Sequence, residues 1–159
     1  MASANVKAGG SAVESATQQL ATFVVDHYYF GVPVLQVQEV LRYQDMTRVP
    51  RASIVVRGLI NLRGQIVTAI DMRKRLSLPE LAGERKPMNV VVRTADGVVS
   101  LLVDEIGDVL EVDHSQYDSA PHTVGPTVRD LITGVYKLPG RLLLVMDVAK
   151  ATATDRDSD

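Results

Sequence analysis

The sequence predicts a mainly β fold assembled from two copies of one small unit, on three observations. Gly58, Leu62, Gly64 and Asp71 return as Gly134, Leu138, Gly140 and Asp147, each 76 residues later, which marks an internal repeat. Each set spells a hairpin: an apolar run, a turn on Arg63-Gly64 or Pro139-Gly140, a second apolar run and a closing Asp. The remaining apolar runs are short, β-branched and bounded by turn residues, as in Asn89-Val90-Val91-Val92-Arg93. A unit this small leaves little room for a deep catalytic pocket, which favours a scaffold over an enzyme.

The elements follow in order. Residues 1–16, rich in Ala, Ser and Gly, read as a disordered tail. Leu20 to Val25 and Tyr28 to Val32 flank Asp26-His27 as a hairpin. Val34, Leu35, Val37, Val40 and Leu41 suit a short helical turn running into a strand. Val56 to Leu62 and Gln65 to Asp71 form the clearest hairpin, with Val56, Ile60, Leu62, Ile66 and Ile70 expected on one face and Leu59, Val67 and Ala69 making the other partly apolar. A sheet wet on one side alternates more cleanly, so the second face is expected to meet the other subdomain or a partner. Residues 77–87, with Pro79, Gly83 and Pro87 among four charges, read as the linker between a subdomain of about 17–80 and one of about 88–151, with a strand free to cross between them. In the second half a turn at Ala95-Asp96-Gly97 joins two strands, and Ile106 to Leu110 overlays Val37 to Leu41 at an offset of 69. A longer loop around 115–127 absorbs the difference, and residues 152–159 read as a second disordered tail.

Bulk composition sets the limits. With 159 residues the chain suits one domain or two small linked barrels, and 46% apolar with 23% charged residues is ordinary globular composition. A net charge of −2 and 4% aromatic residues argue against nucleic acid and anionic membranes as partners. No run approaches the ~20 apolar residues of a membrane span, so no direct membrane insertion is expected. The N-terminus has no secretory signal and the chain no Cys, which points to the cytoplasm.

The chemistry of catalysis is not spelled out. His27, His114 and His122 are scattered and no thiolate exists, so neither a metal site nor a catalytic residue is expected, and no cofactor. Asp71 and Asp147 precede the short helix-forming stretches Met72 to Leu76 and Val148 to Ala151, where an Asp oxygen accepts an orphan N–H, so both read as helix caps. Arg73-Lys74-Arg75 reads as a solvated last turn.

Several segments together resemble the chemotaxis coupling proteins of the CheW family. They are Tyr29-Phe30-Gly31-Val32-Pro33 followed by Val37-Gln38-Glu39-Val40; Val56 to Val67 with Asp71-Met72-Arg73; and Val103-Asp104 with Asp108-Val109-Leu110. The most specific segment, Gly58 to Arg73, is similar to a family pattern in which Thr68 here replaces the usual Pro and Met72 the usual Leu. The resemblance spans about 18–151 and implies two five-stranded SH3-like β-barrel subdomains packed about a shared apolar interface, with a few short helices. It also implies a non-enzymatic adaptor, cytoplasmic and recruited to membrane receptor arrays. Such an adaptor bridges the cytoplasmic tip of a methyl-accepting chemotaxis receptor and the regulatory domain of the histidine kinase CheA. Carried over, the receptor surface comprises Val37, Glu39, Asn61, Arg63 and Gly64, and the kinase contact Val55, Val56 and Arg57. A second kinase contact, used to close rings, corresponds to Asp118, His122 and Thr123, where relatives often carry basic and aromatic side chains. An adaptor for a non-flagellar chemosensory pathway, or a small β-barrel ligand-binding protein, are the alternatives.

Overall fold

The computed structural model describes residues 17–154. Both expected tails lie largely outside them, but Thr152 does not belong to a tail. It ends a helix, its hydroxyl donating to the Val148 carbonyl at 2.8 Å.

Eleven strands among the described residues form two sheets. In chain order they are β1 (Thr17–Val25), β2 (Tyr28–Pro33), β3 (Val37–Leu41), β4 (Val56–Leu62), β5 (Gln65–Asp71), β6 (Met88–Thr94), β7 (Gly97–Val103), β8 (Glu105–Asp113), β9 (Tyr117–Asp118), β10 (Ile132–Leu138) and β11 (Arg141–Met146). Three one-turn helices follow strands or loops: α1 (Met72–Arg75), α2 (Pro126–Arg129) and α3 (Val148–Thr152). One sheet is five-stranded in the order β3-β6-β7-β5-β4; the other has six strands, β9-β10-β11-β2-β1-β8, the sixth being the two-residue β9.

Sheet membership differs from a division at 77–87. The hairpin β1–β2 pairs with β8 and β11 of the second half, while β6–β7 pairs with β3 and β5 of the first. The two copies have exchanged hairpins, and 77–87 is a loop within one sheet. The exchange keeps register: Val37 pairs with Val92 as Ile106 pairs with Phe23, and Leu41 with Asn89 as Leu110 with Leu20, each residue 69 positions from its counterpart. The strand irregularities are copied too, at Val56/Gly58 and at Ile132/Gly134. At Gly58 the need for glycine is steric, because a Cβ would lie 2.7 Å from the Thr47 carbonyl oxygen. Thr47 exchanges hydrogen bonds with Leu59 at 2.9 and 2.8 Å, laying the 42–55 segment along the outer edge of β4.

Burial explains why both strand faces are apolar. Ile60, Leu62, Val67 and Val91 fill the inside of the five-stranded barrel, and Leu20, Val112, Tyr136, Leu143 and Val145 that of the six-stranded one. The opposite faces meet in a larger shared core that takes Phe23, Phe30 and Leu144 from one barrel and Ile70, Val90 and Leu101 from the other. Each buried Val or Leu contributes about 1.5–3 kcal/mol relative to exposure. The face assignments within the first hairpin are corrected: Val67 lies with Ile60 and Leu62 inside the barrel, Val56 and Ile70 pack on the shared core at the opposite face, and Ile66 is 60% exposed. The two-residue turn pairs Leu62 with Gln65, so Ile66 sits opposite Asn61 and points away from Ile60.

The basic run is corrected as well. Arg73 is not solvated: its side chain is 13% exposed and its Nε and Nη2 donate to both carboxylate oxygens of Asp104 at 2.9 and 2.8 Å. Arg73 also reaches Asp26, on the β1–β2 turn, at 3.3 Å, and Asp104 accepts from the Asp26 backbone N–H at 2.6 Å. Arg75 Nε donates to the Ala151 carbonyl at 3.1 Å, and its Nη2 to the Ala153 carbonyl. Both arginines of α1 therefore reach toward the other barrel instead of facing water.

Candidate functional site

The edge strand β3 and the tip of the β4–β5 hairpin bring most of the expected receptor residues together. The hairpin closes in a two-residue turn with Arg63 at φ 52° and Gly64 at φ 90°, the left-handed pair of a tight turn. Asn61 fixes the tip by accepting the Gly64 N–H at 2.8 Å. Held there, Arg63 reaches across to β3 and donates to Glu39 Oε2, while Gln38 donates weakly to the same oxygen at 3.5 Å. The irregularity between Val37 and Glu39 inserts one extra residue, Gln38, opposite β6, a device that re-aims side chains on an edge. Glu39 is screened to 20% exposure while Arg63 stays 70% exposed, its remaining donors open to a partner.

Electrostatics fit this geometry. The hydrogen bond from Arg63 holds the Glu39 carboxyl below its usual range, outweighing the upward push of its partial desolvation. Val37 is half-buried and packs on the shared core, which makes it a support beneath the surface more than a protruding anchor. Protruding apolar groups occur nearby in sequence: Leu35 is 88% exposed, Val40 41% and Ile66 60%. Sequence reading did not single these out. Counting register through the two-residue turn would have found Ile66; Leu35 lies in the three-residue helical turn Val34–Gln36, where its carbonyl, like that of Val37 just beyond, accepts from Arg93 at 3.1 Å.

The other expected contacts separate. Val55 is 4% exposed and belongs to the shared core, with its carbonyl accepting the Asp71 N–H at 2.7 Å, so it offers no side-chain surface. Val56 is half-buried, and Arg57 is exposed with Nη1 donating to Asp71 at 3.1 Å. Asp118 on β9 lies 3.6 Å from Lys137 Nζ, and His122 and Thr123 are exposed on the turn that follows. Beside them Tyr117 packs edge-on against Tyr136 with ring centroids 5.3 Å apart. Asp71 and Asp147 each accept the N–H three residues on, of Lys74 and Lys150, at 3.2 Å. No cluster of three metal-ligating side chains occurs among the described residues, and none of their helices is long and apolar enough to cross a membrane.

The family model described as a CheW-like domain matches residues 19–155. A chemotaxis protein CheW of Bacillus subtilis is 34% identical over 130 residues, covering 82% of this chain and 83% of that protein. The chemotaxis protein CheW of Klebsiella aerogenes is 28% identical over 142 residues, covering 89% and 86%. In fold, the chain is similar to the crystal structure of the scaffolding protein TtCheW from Thermoanaerobacter tengcongensis, with a TM-score of 0.74, 22% identity and coverage of 82% of this chain and 88% of that one. A match across nearly the whole described chain, in sequence and in architecture, establishes that this protein belongs to the CheW-like family of chemotaxis adaptors.

Proposed function

We propose that this chain is a non-enzymatic adaptor that couples the cytoplasmic tip of a methyl-accepting chemotaxis receptor to the histidine kinase CheA, working in the cytoplasm at receptor arrays. The observation that carries the reading is the Glu39–Arg63 pair, which locks an edge strand to a hairpin tip and presents a guanidinium with free donors. Asn61 and Gly64 shape that tip, Val37 supports it from below, and a receptor helix docks against it. The barrel interiors are filled by their own side chains, which suits a protein that works through its surface. Kinase contact falls to Val56 and Arg57, and Asp118, His122 and Thr123 form a second contact for ring closure. An adaptor of this kind shifts the kinase equilibrium only by binding its active and inactive arrangements with different affinity.

The test is Arg63→Glu, which sets a like charge against Glu39 at the tip. Titration against a receptor tip fragment is expected to show binding abolished, while circular dichroism and the melting curve stay nearly unchanged. Retained binding would remove Arg63 from the receptor surface, and concurrent unfolding would make its role structural.

A further inference from the structure

Past Thr154 the chain continues with Asp155-Arg156-Asp157-Ser158-Asp159, three aspartates against one arginine. The segment carries −2, the whole of the chain's formal net charge, so everything before it is balanced. Its point of departure is fixed. Just beyond α3 the Ala151 carbonyl accepts from Arg75 Nε at 3.1 Å and the Ala153 carbonyl from Arg75 Nη2, which lays the end of the described chain against α1.

Lys74, the neighbour of Arg75 on α1, lines an open groove of about 590 Å³ beneath the 48–57 arch, together with Arg48, Arg51 and Arg57. The only carboxylate in that lining is Glu80. Arg57 and Lys74 have carboxylates at 3.1 and 3.9 Å, whereas Arg48 and Arg51 are exposed and carry no ion pair among the described residues. The other hollow beside Arg75 offers less to an anion, since Lys150 there stands with Asp130. Five extended residues span about 17 Å, enough to carry the acidic segment from α1 into the groove. In an extended segment alternate residues share a face. Asp155, Asp157 and Asp159 therefore face one way, with Arg156 and Ser158 turned from them. Tethering through α3 makes the encounter intramolecular, so even weak pairs with the arch form at high effective concentration.

We propose that residues 155–159 lie across the groove with their aspartates on Arg48 and Arg51. The segment is thereby a competitor built into the chain, which any carboxylate-bearing partner of the arch must displace.

The chain has no Cys, so Ser158→Cys takes a single nitroxide label on the full-length sequence. At low salt the amide signals of Arg48, Arg51 and Lys74 are expected to lose more intensity than those of Thr127 and Asp130, which line the other hollow beside Arg75, and the difference disappears at high salt. Asp155→Asn/Asp157→Asn/Asp159→Asn, which touches nothing in the barrels, abolishes the difference, as does Arg48→Gln/Arg51→Gln. A hexa-aspartate peptide, standing in for an acidic partner, binds the triple-Asn variant several-fold more tightly than wild type, and that gain is absent when Arg48→Gln/Arg51→Gln is added. Equal intensity loss at both places, a difference indifferent to salt and to the aspartates, or equal peptide affinity for wild type and the triple-Asn variant overturns the proposal. So does intensity loss that arises only on mixing nitroxide-labelled chains with separate isotope-enriched ones, because a second copy then supplies the acidic segment.

Discussion

At the residue scale, the Glu39–Arg63 pair joins fold to function. Because the folded carboxyl of Glu39 titrates below its ordinary value, the pair's contribution is fully present above that ordinary value and is lost as pH falls through the lowered one. The tip is therefore complete throughout the neutral range and comes apart only in acid. Arg63→Ala removes the first cause of the shift and is expected to raise the Glu39 titration midpoint toward the ordinary Glu value, read by carbon NMR of the carboxyl. An unmoved midpoint would mean that the two side chains do not interact in solution. This pair was only half legible in the sequence. The type and spacing of Asn61, Arg63 and Gly64 announce a tight turn, but nothing local says that a residue 24 positions upstream lies opposite it.

At the scale of elements, α1 carries the lesson. Three consecutive basic residues after a capping Asp resemble any solvated helix end, and one turn is too short for an amphipathic pattern to reveal a buried side. The partners of Arg73, Asp104 and Asp26, lie 31 and 47 positions away, so the contact that buries it is invisible to any local window of sequence. Asp104 is 8% exposed and takes two hydrogen bonds from Arg73, so removing the guanidinium leaves a carboxylate without its main partner in a poorly hydrated place. Arg73→Ala is expected to cost about 2–3 kcal/mol in urea unfolding. A loss within a few tenths of a kcal/mol would show the clasp to be a surface ion pair of little consequence. Val56, Ile66 and Ile70 are misplaced by alternation for a related reason: it does not reveal a one-residue irregularity at Arg57 or the register that a turn imposes.

At the scale of the molecule, repeated punctuation revealed the duplicated unit but not the exchange of hairpins. Offsets of 76 and 69 describe which segments are alike and are silent on which segments pair. Because Leu20 pairs with Leu110 and Leu41 with Asn89, neither half of the sequence holds a complete sheet, and the long-range pairing predicts folding in the millisecond-to-second range. A chain cut once at Gly83, in the exposed loop between α1 and β6, is accordingly expected to run as one particle in gel filtration and to separate only in denaturant. Halves that part on cutting would contradict the pairing.

The central claim is that one rigid pair of barrels holds two macromolecules at once. Co-sedimentation of a membrane-anchored receptor tip fragment with the kinase, with and without this chain, tests it most directly. The account predicts that the kinase sediments with receptor only when the chain is present, and not when Arg63→Glu replaces it. Kinase that sediments equally well without the chain, or a chain that reaches the pellet with receptor but leaves the kinase in solution, would contradict it.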